Sequence, residues 1–162
     1  MTPTIKTIPD KKLVGKRIQT AMAENRTFEL WSSFMPRRKE IKNIISGDLF
    51  SVQVHNPSTT FENFTPHTPF EKWAAVEVTD FSIIPDGMEP YTLTGGLYAV
   101  FIHKGAAGTA PETFQYIFTG WLPASEYLFD NSRAQFEIMG EKYKNNHPDS
   151  EEEVWIPIKK KI

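Results

Sequence analysis

Apolar and polar positions alternate with a period of two near the C-terminus, where Val154, Ile156 and Ile158 interleave with Glu153, Trp155 and Pro157. That period is the signature of a β-strand, because successive side chains leave opposite faces of the pleat. The same alternation predicts strands over 11–21, over DLFSVQVH (Phe50, Val52 and Val54 against Ser51, Gln53 and His55) and over EKWAAVEV (Ala74, Val76 and Val78 against Trp73, Ala75 and Glu77). Further strands are predicted in GGLYAVFIHKG, AQFEIMGE and EEVWIPI. Helical spacing of Leu30, Trp31, Phe34, Ile41, Ile44 and Ile45 predicts a helix from about Arg26 to Ile45, with Thr27 or Asn25 as its cap and a kink or break at Pro36. A second helix is predicted in AGTAPETFQYIFTGWLPASEY, with Pro111 in its first turn.

The order strand, helix, strand, strand occurs twice. Sliding the first helix onto the second lays Phe34-Met35-Pro36 on Trp121-Leu122-Pro123 and Leu30-Trp31 on Ile117-Phe118. This predicts an internal duplication within one domain spanning 1–162, with halves at about 5–84 and 92–160. Two strands carry a carboxylate and an indole on one face, Glu77 with Trp73 and Glu153 with Trp155.

Composition narrows the classes. The 162 residues are 40% hydrophobic and 23% charged, an ordinary globular balance. Aromatics reach 13%, on the rich side for a single small core, which leaves two readings open: some rings wall a pocket, or the core merely favours Phe. A net charge of −2 offers no positive field for nucleic acid. No apolar run approaches the roughly 20 residues that span a bilayer, and the first residues lack the apolar stretch of a secretory signal. Cysteine is absent, which excludes disulfides and thiolate chemistry. The four histidines are too widely separated for a short-spaced ligand pair, so neither a metal nor another cofactor is expected. A cytoplasmic protein is the expectation.

The chain resembles the GyrI-like family, also described as the effector-binding domain of AraC-type bacterial transcription activators. The resemblance rests on YAVFIHKG at Tyr98 to Gly105, WLP at Trp121 to Pro123 and EVWIP at Glu153 to Pro157, together with KLVGKRIQTA and ELWSSFMPRRKEI in the first half. It implies an α+β fold in which two pseudo-symmetric βαββ repeats form a curved antiparallel sheet, with helices packed on it and a ligand cleft between the halves. It also implies a small hydrophobic ligand, often an aromatic cation, held by an acidic residue among rings.

On that basis Glu153 is the first candidate for the acid and Glu77 the second. Trp155, Trp73, Tyr98, Trp31, Phe34, Phe118 and Trp121 are candidate ring contacts. So few residues precede the first strand that no helix-turn-helix region is expected, hence no direct DNA contact; a partner regulator protein would carry any transcriptional output. Three functions stay open: a small-molecule binder for drug or toxin sensing, a hydrolase of cyclopropane-type electrophiles using Glu153 or Glu77 as general base, and a protein-binding gyrase-inhibitor-like factor.

Overall fold

A computed structural model describes every residue except Phe61 and the side chain of Ala107. Among the described residues, nine strands form one antiparallel system: β1 (Thr4–Ile8), β2 (Lys11–Thr20), β3 (Leu49–Val54), β4 (Phe70–Glu77), β5 (Glu89–Leu93), β6 (Gly96–Lys104), β7 (Tyr127–Phe129), β8 (Gln135–Met139) and β9 (Glu151–Lys160). The helices are α1 (Thr27–Phe34), followed by a 3-10 segment over Met35–Glu40, and α2 (Ala110–Gln115), continued by a π segment over Tyr116–Trp121 and the short α3 (Leu122–Ala124).

The strand order is β1-β6-β9-β8-β3-β4-β2-β5, with β7 paired to β9 off this path. Exchange β1 with β5, β2 with β6, β3 with β8 and β4 with β9, and the order reads the same from the other edge. The axis of that palindrome falls between β3 and β8. The sheet curls around its inner face, since Ile8 and Val100 from one end meet Leu13, Tyr91 and Leu93 from the other in a single apolar cluster. The two ends are tied where the Asp10 carboxylate accepts the Gly95 backbone N–H at 2.7 Å. The α+β class and curved antiparallel sheet expected from the sequence are the ones observed.

Alternation sorts the side chains as predicted. Phe50, Val52, Trp73 and Ala75 point to the inner face with Tyr98, Phe136 and Trp155. Val14, Ala74, Val76 and Val78 point outward under α1, against Leu30 and Phe34. Ala99, Phe101, Val154, Ile156 and Ile158 lie outward under the second helical stretch, against Ile117 and Leu122. Burying such aliphatic side chains contributes about 1.5–3 kcal/mol each.

The structure departs from these expectations at the first helix and at three short strands. The first helix stops at Phe34 and tightens to 3-10 at Pro36, whose missing N–H suits an early helical position. Beyond Glu40 the chain is extended, with Ile45 N–H bonded to Glu77 O at 2.9 Å, so Ile44 and Ile45 sit on a strand-like bridge rather than a helical face. Arg26 occupies the N-cap position, while the Asn25 side chain accepts the Thr27 N–H at 2.9 Å. Strands β1, β5 and β7 were not predicted; each is short and largely exposed or partly exposed, so burial imposes little alternation on it.

Candidate functional site

On the outer face, β3 and β8 run along the palindrome axis with the α1 and α2 stretches on either side. Between the helices lies a cleft of about 1740 Å³. Its floor carries Ser51 and Gln53 from β3 with His55 just beyond that strand, Gln135 and Glu137 from β8, Lys72 from β4 and Glu152 from β9. Trp31 and Phe28 stand on the α1 side; Phe114 and Phe118 stand on the α2 side, with Phe129 of β7 packed on Phe118 at 5.5 Å between ring centroids. His55 lies 5.2 Å from the Phe70 ring and 5.8 Å from the Phe64 ring. Burial pushes its pKa down, so the imidazole is a neutral ring in an aromatic wall.

Register explains the floor. Lys72, Gln53 and Gln135 face one another across β4, β3 and β8, and the Gln135 amide donates to Gln53 Oε1 at 3.1 Å. The next outward row places Ser51 beside Glu137, opposite Val154 of β9. Glu152, one step of the same parity from Val154, comes alongside.

The Glu137 and Glu152 carboxyl groups lie within hydrogen-bonding reach of each other, so that a proton held by one is shared with the other. Burial pushes the Glu137 carboxyl up to about 7, with the Glu152 charge adding to the rise and Lys72 opposing it. Burial raises Glu152 as well. Two carboxyl groups sharing an apolar site cannot both ionise cheaply, so the pair retains one proton near neutral pH. Tyr143, also on the cleft, has its phenol raised by burial and then by the same two carboxyl groups. The arrangement offers a buried negative charge and a transferable proton, ringed by aromatic faces.

Of the sequence candidates, Trp31 and Phe118 line this cleft. The acid expected at Glu153 does not: its carboxylate accepts the Trp155 indole N–H at 2.9 Å on the inner side of the sheet. Trp155 is 5% exposed and stacks on Phe136 at 5.2 Å, so it is core. Trp73 is core likewise, 5.0 Å from Tyr91, its indole N–H bonded to Glu71 rather than Glu77. Glu77 faces the inner side and pairs with Lys11 at 3.5 Å.

Tyr98 is fully buried, its hydroxyl directed at the Thr94 and Ala134 carbonyls and its ring beneath the Arg133 guanidinium; burial pushes its phenol up to about 12. Phe34, the last residue of α1, is buried against the sheet. Trp121 packs on Phe101 and Tyr127. Each Trp–Glu pair is an indole with its hydrogen-bond acceptor two residues earlier. An unmet indole N–H in a core costs about 1–3 kcal/mol, which is why a carboxylate shares that face.

Glu137, Glu152 and Lys72 were missed. Alternation in QFEIM sets Gln135, Glu137 and Met139 opposite Phe136 and Ile138, so a mid-strand carboxylate was visible. That its face is covered rather than washed by water was not.

A curved antiparallel sheet with helices on one face and an aromatic cleft between them defines a small-molecule-binding domain. Residues 1–159 match the sequence profile of the GyrI-like small molecule binding domain, and the chain belongs to that family. It is 29% identical over 133 residues to the transcriptional regulator BrlR of Pseudomonas aeruginosa, a match covering 80% of this chain and 45% of the relative. The chain thus spans about half the length of that relative. In structure it resembles the EcmrR C-terminal domain, with a TM-score of 0.73 at 15% identity over 99% of this chain and 98% of the other. It also resembles SAV2435 bound to tetraphenylphosphonium, with a TM-score of 0.67 at 16% identity over 98% and 94%. No helix among the described residues is long and apolar enough to cross a membrane.

Proposed function

We propose that the chain senses or sequesters hydrophobic aromatic small molecules, cations among them, in the cleft between α1 and the α2 stretch. The observation that carries this reading is the Glu137–Glu152 pair on the floor of a cavity walled by Trp31, Phe114 and Phe118. A buried carboxylate is costly until a counter-charge arrives, and each ring face adds about 0.5–2 kcal/mol of attraction for a cation. Rings without fixed hydrogen bonds tolerate many ligand outlines, which fits broad specificity. The likeness to SAV2435 bound to tetraphenylphosphonium and to the regulator BrlR supports this class of ligand and a link to transcription control. The palindromic strand order supports two duplicated halves, about 5–84 and 92–160, facing each other across the cleft.

The test is titration with tetraphenylphosphonium, followed by quenching of Trp31 fluorescence. Binding is expected, weakened about 10–100-fold in the double variant Glu137→Gln/Glu152→Gln. No quenching in the parent protein, or none lost in the double variant, overturns the countercharge. A hydrolytic reading uses the same pair, one carboxylate as general base and one carboxylic acid as proton donor. Turnover of a cyclopropane electrophile that disappears in the double variant would select it.

A further inference from the structure

Among the described residues, the Lys72 side chain lies in the cleft without a direct partner. Among the described residues its ammonium makes no hydrogen bond or ion pair; it interacts with Glu137 and Glu152 only at longer range. An amine in an apolar cavity is normally paired, because its charge loses hydration there. Here the two carboxyl groups bond to each other instead. Burial lowers the Lys72 pKa, and the two carboxyl groups oppose that fall. The floor thus sets a basic group against an acid pair, with the Gln53–Gln135 amide pair beside Lys72. A ligand carrying only positive charge meets attraction at the acid pair and repulsion at Lys72.

We propose that the cleft takes amphoteric aromatic ligands, whose positive group rests on Glu137–Glu152 and whose anionic oxygen is held by the Lys72 ammonium. The inference rests on the cleft being the binding site and names the class of ligand it prefers. Lys72 and Glu137 rise from strands two places apart and from rows two residues apart, about 12 Å between their Cα atoms on ordinary sheet spacings. Ligand charges separated by an aromatic framework fit this spacing. Those on adjacent atoms, as in a free amino acid, do not. Gln53 and Gln135 can hydrogen-bond the framework between them.

Rhodamine B and its ethyl ester form a matched pair for calorimetric titration: one aromatic cation, with and without a free carboxylate. The acid is expected to bind about tenfold more tightly than the ester in the parent protein. In Lys72→Met that preference should vanish, while the ester binds more tightly than before because a like charge has gone. Lys72→Gln, which keeps a donor without the charge, should retain part of the preference.

An ester that equals or outbinds the acid in the parent protein overturns the inference, as does a preference that survives Lys72→Met. Tetraphenylphosphonium, titrated alongside, separates the failures. If it binds through the acid pair while the two rhodamines rank equal, only the role of Lys72 falls. If none of the three binds, the cleft reading falls with it.

Discussion

Glu137 is the residue whose environment does most to set the chemistry of this chain. Its carboxyl is raised to about 7 from an ordinary value of 4.5, so the folded protein holds a proton that the unfolded chain has released over that interval. With more protons bound in the native state, stability falls as pH rises through the window from about 4.5 to 7. A thermal melt series from pH 4.5 to 7.5 should show this slope, flattened in Glu137→Gln. Seating a permanent cation reverses the preference of the pair, because the ligand favours the ionised form and expels the proton. Affinity for tetraphenylphosphonium should therefore rise roughly tenfold between pH 5.5 and 7.5, with proton uptake by buffer measurable in the same titration. Glu153 and Glu71 have a structural role instead. They satisfy the Trp155 and Trp73 indoles inside the sheet.

At the scale of elements, the curl of the sheet depends on close approach of backbones. Gly15 of β2 is the tightest point: a Cβ there would stand 2.0 Å from the Ala74 carbonyl oxygen and 2.6 Å from the Ala75 Cα. Backbone atoms cannot step aside as a flexible side chain would. Gly15→Ala is expected to cost about 2 kcal/mol or more, seen as a lowered urea midpoint with an unchanged far-ultraviolet spectrum in the absence of denaturant. The π segment over Tyr116–Trp121 does comparable work on the other side. Its wider turn leaves Phe114 and Phe118 on the cleft while Ile117 and Trp121 pack on Phe101 and its neighbours.

For the molecule as a whole, the cleft has its two walls on separate elements, each packed on the same sheet. A ligand spanning the gap would link them. Amides of α1 and of the Tyr116–Ala124 stretch should therefore gain hydrogen-exchange protection together when tetraphenylphosphonium binds, and the melting temperature should climb with ligand concentration. Protection confined to one helix would place the ligand on a single wall rather than between them.

Much of this architecture was legible in the chain. Alternation over 49–54, 70–77 and 151–160 reports faces because each strand is buried on at least one side, and a misplaced polar group there would be expensive. Pro36, Pro111 and Pro123 mark helical starts and stops by their own stereochemistry. β1, β5 and β7, with few buried positions, left no comparable pattern. The candidate site was less legible for a different reason. Sequence parity says that Glu153 and Trp155 share a face, and they do; it is silent on which face is open.

Two faces of one sheet were set apart by the sequence; their fates were decided by folding. Period and proline placement by themselves determined the longer strands, the helix starts and the grouping of Glu with Trp, since these depend on residues a few positions apart. Only the tertiary structure decided that the sheet closes over its Trp-bearing face and leaves the Glu137–Glu152 face beneath a cleft. Curvature brings strands from opposite ends of the order together, and contacts between residues so distant along the chain leave no trace in local periodicity.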